Sequence, residues 1–311
     1  VKPPFPWFGG KSRVADLSWQ LLGDVQNYVE PFAGSLAILL NRPHEPKIET
    51  VNDKDCYLSN FWRAVKNDPD GVAEWCDWPV NEADLHARHL WLVRHREEFQ
   101  ELMKTDPEHF DVKVAGWWVW GICQWIGAGW CSTITRRLPH LGCSGMGVHR
   151  QIPHLGDAGK GVHLTEYMNE IAARLRSVRV CCGDFLRVLG PTPTFIQGLT
   201  GVVLDPPYSL EADREMSLYA EECGKVANLA REWAIANGDH PKMRVLLFGY
   251  QGEHDHEMPE GWVAYPWKTR GGYGNQSKNG RGRANAMREV IWASPYCLHN
   301  KEATLFDEVF K

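Results

Sequence analysis

The chain has 311 residues, 43% hydrophobic and 23% charged, which suits one large α/β domain with an insertion or two ordinary domains. No run of ~18 apolar residues is present and Val1 to Pro6 lacks the apolar core of a secretory leader, so neither a membrane partner nor export is expected. The nine cysteines are odd in number and irregularly spaced, which suits reduced thiols and a cytoplasmic location rather than a disulfide framework. A net charge of −5 argues against nucleic acid by its sum, but distribution matters more. Lys268, Arg270, Lys278, Arg281 and Arg283 fall in a Gly- and Asn-rich stretch without an acid, which reads as a mobile basic loop.

In chain order, Tyr28-Val29 is a short apolar run that ends at Glu30-Pro31, and Gly34-Ser35 opens a helical pattern from Leu36 to Leu40. A second strand, Ile48 to Val51, ends at Asn52-Asp53, and Leu58, Phe61, Trp62 and Val65 then recur at helical spacing. This rhythm predicts a parallel sheet covered by helices. It breaks from about Gly71 to Thr165, where Trp, His and Arg are dense and Gly-rich stretches suggest an inserted region with long loops. It resumes with a helix over Leu164–Arg176, strands at Val178–Cys182 and Gly201–Leu204, and a long helix from Glu211 to Ala236. Val245–Phe248 is a further strand, and Trp262–Trp267 with Glu289–Ala293 suggests a closing antiparallel pair. The expected organisation is a catalytic domain over 1–70 and 164–311, interrupted by an insertion over 71–163.

The sharpest chemical signal is Asp205-Pro206-Pro207-Tyr208, directly after the apolar strand ending at Leu204. Open α/β sheets place ligands beyond the carboxyl ends of their strands, so the segment should face a cleft. An amino group conjugated to a base is a poor nucleophile, because its lone pair is delocalised into the ring. The Asp205 carboxylate can accept its N–H, and the Pro206 carbonyl, held by two rigid prolines, offers a second acceptor. Tyr208 supplies a face for a flipped base, worth about 1–3 kcal/mol in stacking. This segment resembles the Asp-Pro-Pro-Tyr motif of amino-group DNA methyltransferases.

Other elements agree. Glu30-Pro31-Phe32-Ala33-Gly34-Ser35 puts a glycine after a strand, where backbone can approach a ligand, ahead of a helix N-terminus. Asp53 ends the next strand, placed to bond ribose hydroxyls. Cys182-Gly183-Asp184-Phe185 follows another strand, although an acid there would also suit a helix N-cap. Near the start, Trp7-Phe8-Gly9-Gly10-Lys11-Ser12 is not a phosphate-binding P-loop, because Phe5 stands where that motif needs its first glycine.

Taken in order, these segments resemble the α-group (Dam-like, D12 class) DNA adenine-N6 methyltransferases over residues ~5–67 and ~164–294. The resemblance implies a Rossmann-like α/β methyltransferase sheet that binds S-adenosylmethionine. Glu30 to Ser35 would hold the methionine part of this cofactor, Asp184 and Phe185 its adenine, and Trp7, Phe8, Gly10 and Lys11 would complete the pocket, with Asp205 at its border. It implies double-stranded DNA as substrate and base flipping, with the insertion as target-recognition region. Arg136 and Arg137 beside Ser132–Thr135 could read guanine edges. Ser209 departs from the bulky residue expected after the motif. A monomer or weak dimer is expected, in a phage or beside a cognate restriction enzyme. An N4-cytosine methyltransferase and a relative that binds DNA without catalysis remain open. The tryptophans at 117, 118, 120 and 125 read as a core for the insertion. Cys131, His140, Cys143, His149 and His154 lack the paired spacing of a zinc site, so no metal is expected.

Overall fold

The computed structural model describes residues 1–7, 9–126, 129–132, 140–141, 147–148, 164–207, 218–267 and 289–299. The first half runs α1 (Ala15–Leu22), β1 (Asn27–Glu30), α2 (Ala37–Leu40), β2 (Ile48–Asp53), α3 (Cys56–Asn67), α4 (Pro69–Cys76), α5 (Glu82–Arg94), α6 (Arg96–Thr105) and α7 (Val112–Gln124). Three two-residue strands follow, β3 (Trp125–Ile126), β4 (His140–Leu141) and β5 (Gly147–Val148). The chain then continues through α8 (Leu164–Leu175), β6 (Val178–Cys182), β7 (Thr200–Leu204), α9 (Leu218–Gly238), β8 (Met243–Tyr250), β9 (Val263–Trp267) and β10 (Glu289–Ala293).

The main sheet has the order β6-β2-β1-β7-β8-β10-β9. Strands β6 through β8 pair in parallel, while β10 runs antiparallel to both β8 and β9. The expected α/β sheet and its closing antiparallel pair are both present. Strand alternation divides the core between two faces. Tyr28, Val203, Leu246, Phe248 and Ile291 join one cluster with α1, α3 and α8. Their neighbours Val29, Val202, Leu204, Leu247 and Trp292 join a second cluster with Ala230 and Ala234 of α9.

Residues 69–126 are largely helical rather than looped. Helix α4 follows α3 after the single residue Asp68, which caps it by accepting from the Gly71 amide at 2.9 Å, with Pro69 at its first position. The boundary drawn between residues 70 and 71 therefore falls within α4. Helices α4 and α7 pack on α3 and α8 and share their core. Trp118, Trp120 and Trp125 are buried in that core, whereas Trp117 is only half-buried.

Candidate active site

The direction of neighbouring crossovers reverses between β1 and β7, which leaves a crevice at the carboxyl ends of the two strands. Glu30 ends β1, Asp53 ends β2, and Asp205 follows β7, so three predicted acids share this edge.

Glu30 is 5% exposed and accepts a 2.9 Å hydrogen bond from the Tyr28 hydroxyl. Burial, reinforced by the nearby Asp205, Glu49 and Asp53 carboxylates, pushes it up to about 8 against the Tyr28 bond. It is therefore largely protonated at neutral pH. Asp53 is half-buried and accepts from the Gly34 amide at 3.1 Å and the Asp55 amide at 2.9 Å. Desolvation raises it to about 6 despite those bonds. The first two strand ends are thus tied together through Asp53.

The loop between them differs from expectation in one respect. Helix α2 is a single turn, entered through Leu36 in the left-handed conformation, and is too short to aim a helix dipole at an anion. Backbone shape carries this loop instead. Gly34 has φ 47°, and a Cβ there would stand 2.7 Å from Nε1 of Trp7. The half-buried Trp7 indole, itself packed near Phe5 and Trp118, thus closes directly over the glycine. Pro31, Ala33 and Ser35 are buried and Phe32 is half-buried.

Phe32 stacks on Phe185 with centroids 4.9 Å apart. Asp184 is exposed and caps the short 3-10 turn Phe185–Val188 through the Leu186 amide at 2.9 Å. The helix-cap reading of Asp184 is therefore the one this bond supports.

Lys11, from the turn closed by the bond from the Gly10 amide to the Trp7 carbonyl, is 5% exposed. Its ammonium donates to the Gly9 carbonyl at 2.7 Å and lies 2.9 Å from Oδ2 of Asp205. Glu289, a buried acid that sequence reasoning did not single out, is 3.8 Å from the same ammonium. Pro206 is buried and Pro207 exposed. Tyr208, Phe8, Arg136, Arg137, Lys268, Arg270, Lys278, Arg281 and Arg283 lie outside the described residues, as do Cys143, His149 and His154.

An open sheet in this order, with a glycine loop and strand-end acids around its reversal, defines an α/β protein of the Rossmann-like methyltransferase class. Residues 7–113 match the family model of the D12 class N6 adenine-specific DNA methyltransferases. Members of that family use S-adenosylmethionine. The matched span holds Lys11, the Glu30–Ser35 loop and Asp53, while the Asp205–Tyr208 segment lies beyond it. No curated protein matches the chain. Among the described residues no helix is long and apolar enough to cross a membrane.

Proposed function

We propose that this chain methylates N6 of adenine at a specific sequence in double-stranded DNA, with the target base flipped into the cleft beside Asp205. The observation that carries this reading is the meeting of Asp205 with Lys11, Glu30 and Asp53 at one strand edge, across the reversal of an amino-methyltransferase sheet.

The residues present suit S-adenosylmethionine. Its ammonium and sulfonium charges call for nearby carboxylates, and buried Glu30 is a protonated acid ready to ionise beside a cation. Asp53 suits the ribose hydroxyls, Asp184 and Phe185 the adenine, and Gly34 under Trp7 the close backbone approach. The cofactor, when bound, supplies an activated methyl group.

The chain's own residues would position the acceptor. In this reading Asp205 accepts from the target N–H and the Pro206 carbonyl from the second N–H, which directs the amino lone pair towards the methyl donor. Pro207 fixes the backbone and Tyr208 stacks on the base. Lys11 holds Oδ2 of Asp205 at 2.9 Å and so fixes the orientation of this acceptor. Extrusion of the base costs a few kcal/mol, which Arg136, Arg137 and the basic stretch 268–283 would offset by holding the DNA. Residues 71–163 would carry target recognition. Action as a monomer or weak dimer, in the cytoplasm and alongside a cognate restriction enzyme or within a phage-infected cell, belongs to the same reading.

Mass spectrometry of nucleosides from DNA treated with the chain and S-adenosylmethionine tests it. N6-methyladenine is expected. N4-methylcytosine would transfer the reading to the other amino group, and no methylation of any DNA would make the chain a binding relative without catalysis.

A further inference from the structure

Glu289 is the first residue of β10, the strand that runs against its neighbours. Reversal brings its amino end to the edge where β1 and β7 deliver their carboxyl ends. Register places Glu289 beside Tyr250 of β8 and Trp267 of β9. The rest of β10 is Val290, Ile291, Trp292 and Ala293, all buried. A carboxylate in such a strand carries a large desolvation cost, and an apolar residue of similar size would be tolerated at least as well for stability alone.

Its Oε2 lies 3.8 Å from Lys11 Nζ, which holds Asp205 at 2.9 Å and the Gly9 carbonyl at 2.7 Å. The ammonium is walled by the Phe248 ring at 5.3 Å and the Trp267 ring at 5.8 Å. Two carboxylates, one opening β10 and one just past β7, thus share one buried cation. With Asp205 as sole counter-charge, the ammonium could follow either of its oxygens. A second carboxylate fixed in the sheet anchors the cation, so that Lys11 occupies one Asp205 oxygen and leaves the other for a substrate N–H.

We propose that Glu289 is a positioning residue for the transfer reaction, which aligns Asp205 by anchoring Lys11. This rests on the reading of Asp205 as acceptor for the target amino group.

Glu289→Gln keeps the side chain's size and removes its charge, and Glu289→Asp restores the charge on a shorter stem. Steady-state methyl transfer, cofactor affinity and thermal midpoint are measured for wild type and both variants. Glu289→Gln is expected to lower kcat by about tenfold to a hundredfold, the scale of a displaced reacting group, with KM for cofactor and DNA unchanged. Glu289→Asp is expected to recover most of that loss, and both variants to melt as wild type does. Wild-type kcat in Glu289→Gln overturns the proposal. So does a loss that tracks a fall in melting temperature or cofactor affinity, which marks a merely structural acid. Inactive wild type on every DNA would instead defeat the reading of Asp205 on which the proposal rests.

Discussion

The ammonium of Lys11 stands 2.9 Å from Oδ2 of Asp205, joining the amino-terminal Gly-Gly-Lys turn to the end of β7. Under the proposed chemistry Asp205→Asn keeps the shape but weakens the acceptor. Methyl transfer should fall by about 10²–10³-fold, the usual cost of losing a preorganised electrostatic interaction, while DNA affinity stays within a few fold. Tritium transfer from labelled cofactor, run beside a gel-shift titration, measures both. Undiminished transfer would remove Asp205 from the mechanism.

Glu30 makes stability depend on pH in a definite direction. Its folded value, about 8, lies above the ordinary carboxyl value of 4.5, so the folded protein holds this proton more tightly than the unfolded chain. The stabilisation is complete below about pH 4.5 and is lost as pH rises through about 8, amounting to on the order of a few kcal/mol. Melting temperature should fall between pH 6 and 9 (roughly the upper half of that window), and Glu30→Gln should flatten the slope. Cofactor cations beside Glu30 would favour its ionised form, so affinity for S-adenosylmethionine should rise with pH over the same range. Calorimetry in buffers of different ionisation heat would register the released proton.

Gly34 offers a steric test of the cofactor loop. An alanine there must accept φ 47° and place its Cβ 2.7 Å from Trp7 Nε1, so the indole must move. Gly34→Ala should weaken cofactor binding by about tenfold, consistent with a strain of order 1–2 kcal/mol in this loop. Equilibrium dialysis settles the outcome, and an unaltered Kd would show that Trp7 is no part of the pocket.

Helices α4 and α7 meet at Gly116, where an added Cβ would collide with that of Trp75 and lie 3.0 Å from the Cys76 amide nitrogen. Gly116→Val should destabilise by about 1–3 kcal/mol, as overpacked cores do. Because these helices share a core with α3 and α8, unfolding should remain one cooperative transition rather than divide in two. Differential scanning calorimetry distinguishes these outcomes.

The basic stretch carries a separate prediction about DNA. Replacing Lys268, Arg270, Arg281 and Arg283 by alanine should reduce the slope of log affinity against log salt by about 0.9 for each phosphate that is no longer neutralised. An unchanged slope would assign DNA binding to other residues.

The sheet was legible because each strand is an apolar run ending at a residue suited to chemistry: Val29 before Glu30, Val51 before Asp53, Leu204 before Asp205. Helices α5 and α7 were not. Their periodicity is disguised by polar residues that the fold buries, such as Arg88, His89 and Gln124. Arg88 lies 4.3 Å from the Trp120 ring centroid, and His89 stacks on Trp125, so partners distant in sequence make these polar groups tolerable. Local pattern contains no trace of such partners. Glu289 was overlooked for a related reason: an acid opening an apolar strand signals nothing until the strand's direction is known. Asp184 carried two readings, and its cap is real whatever it does for a ligand.

The reversed β10 also constrains how the protein could be cut or rewired. It is the strand through which β9 joins the sheet, and its first residue reaches the Lys11 cation. A split between two separately expressed fragments placed after β9 would leave the larger piece without both a sheet partner and a site carboxylate. Recovery of transfer on mixing such halves would therefore report strand insertion and active-site assembly as one event.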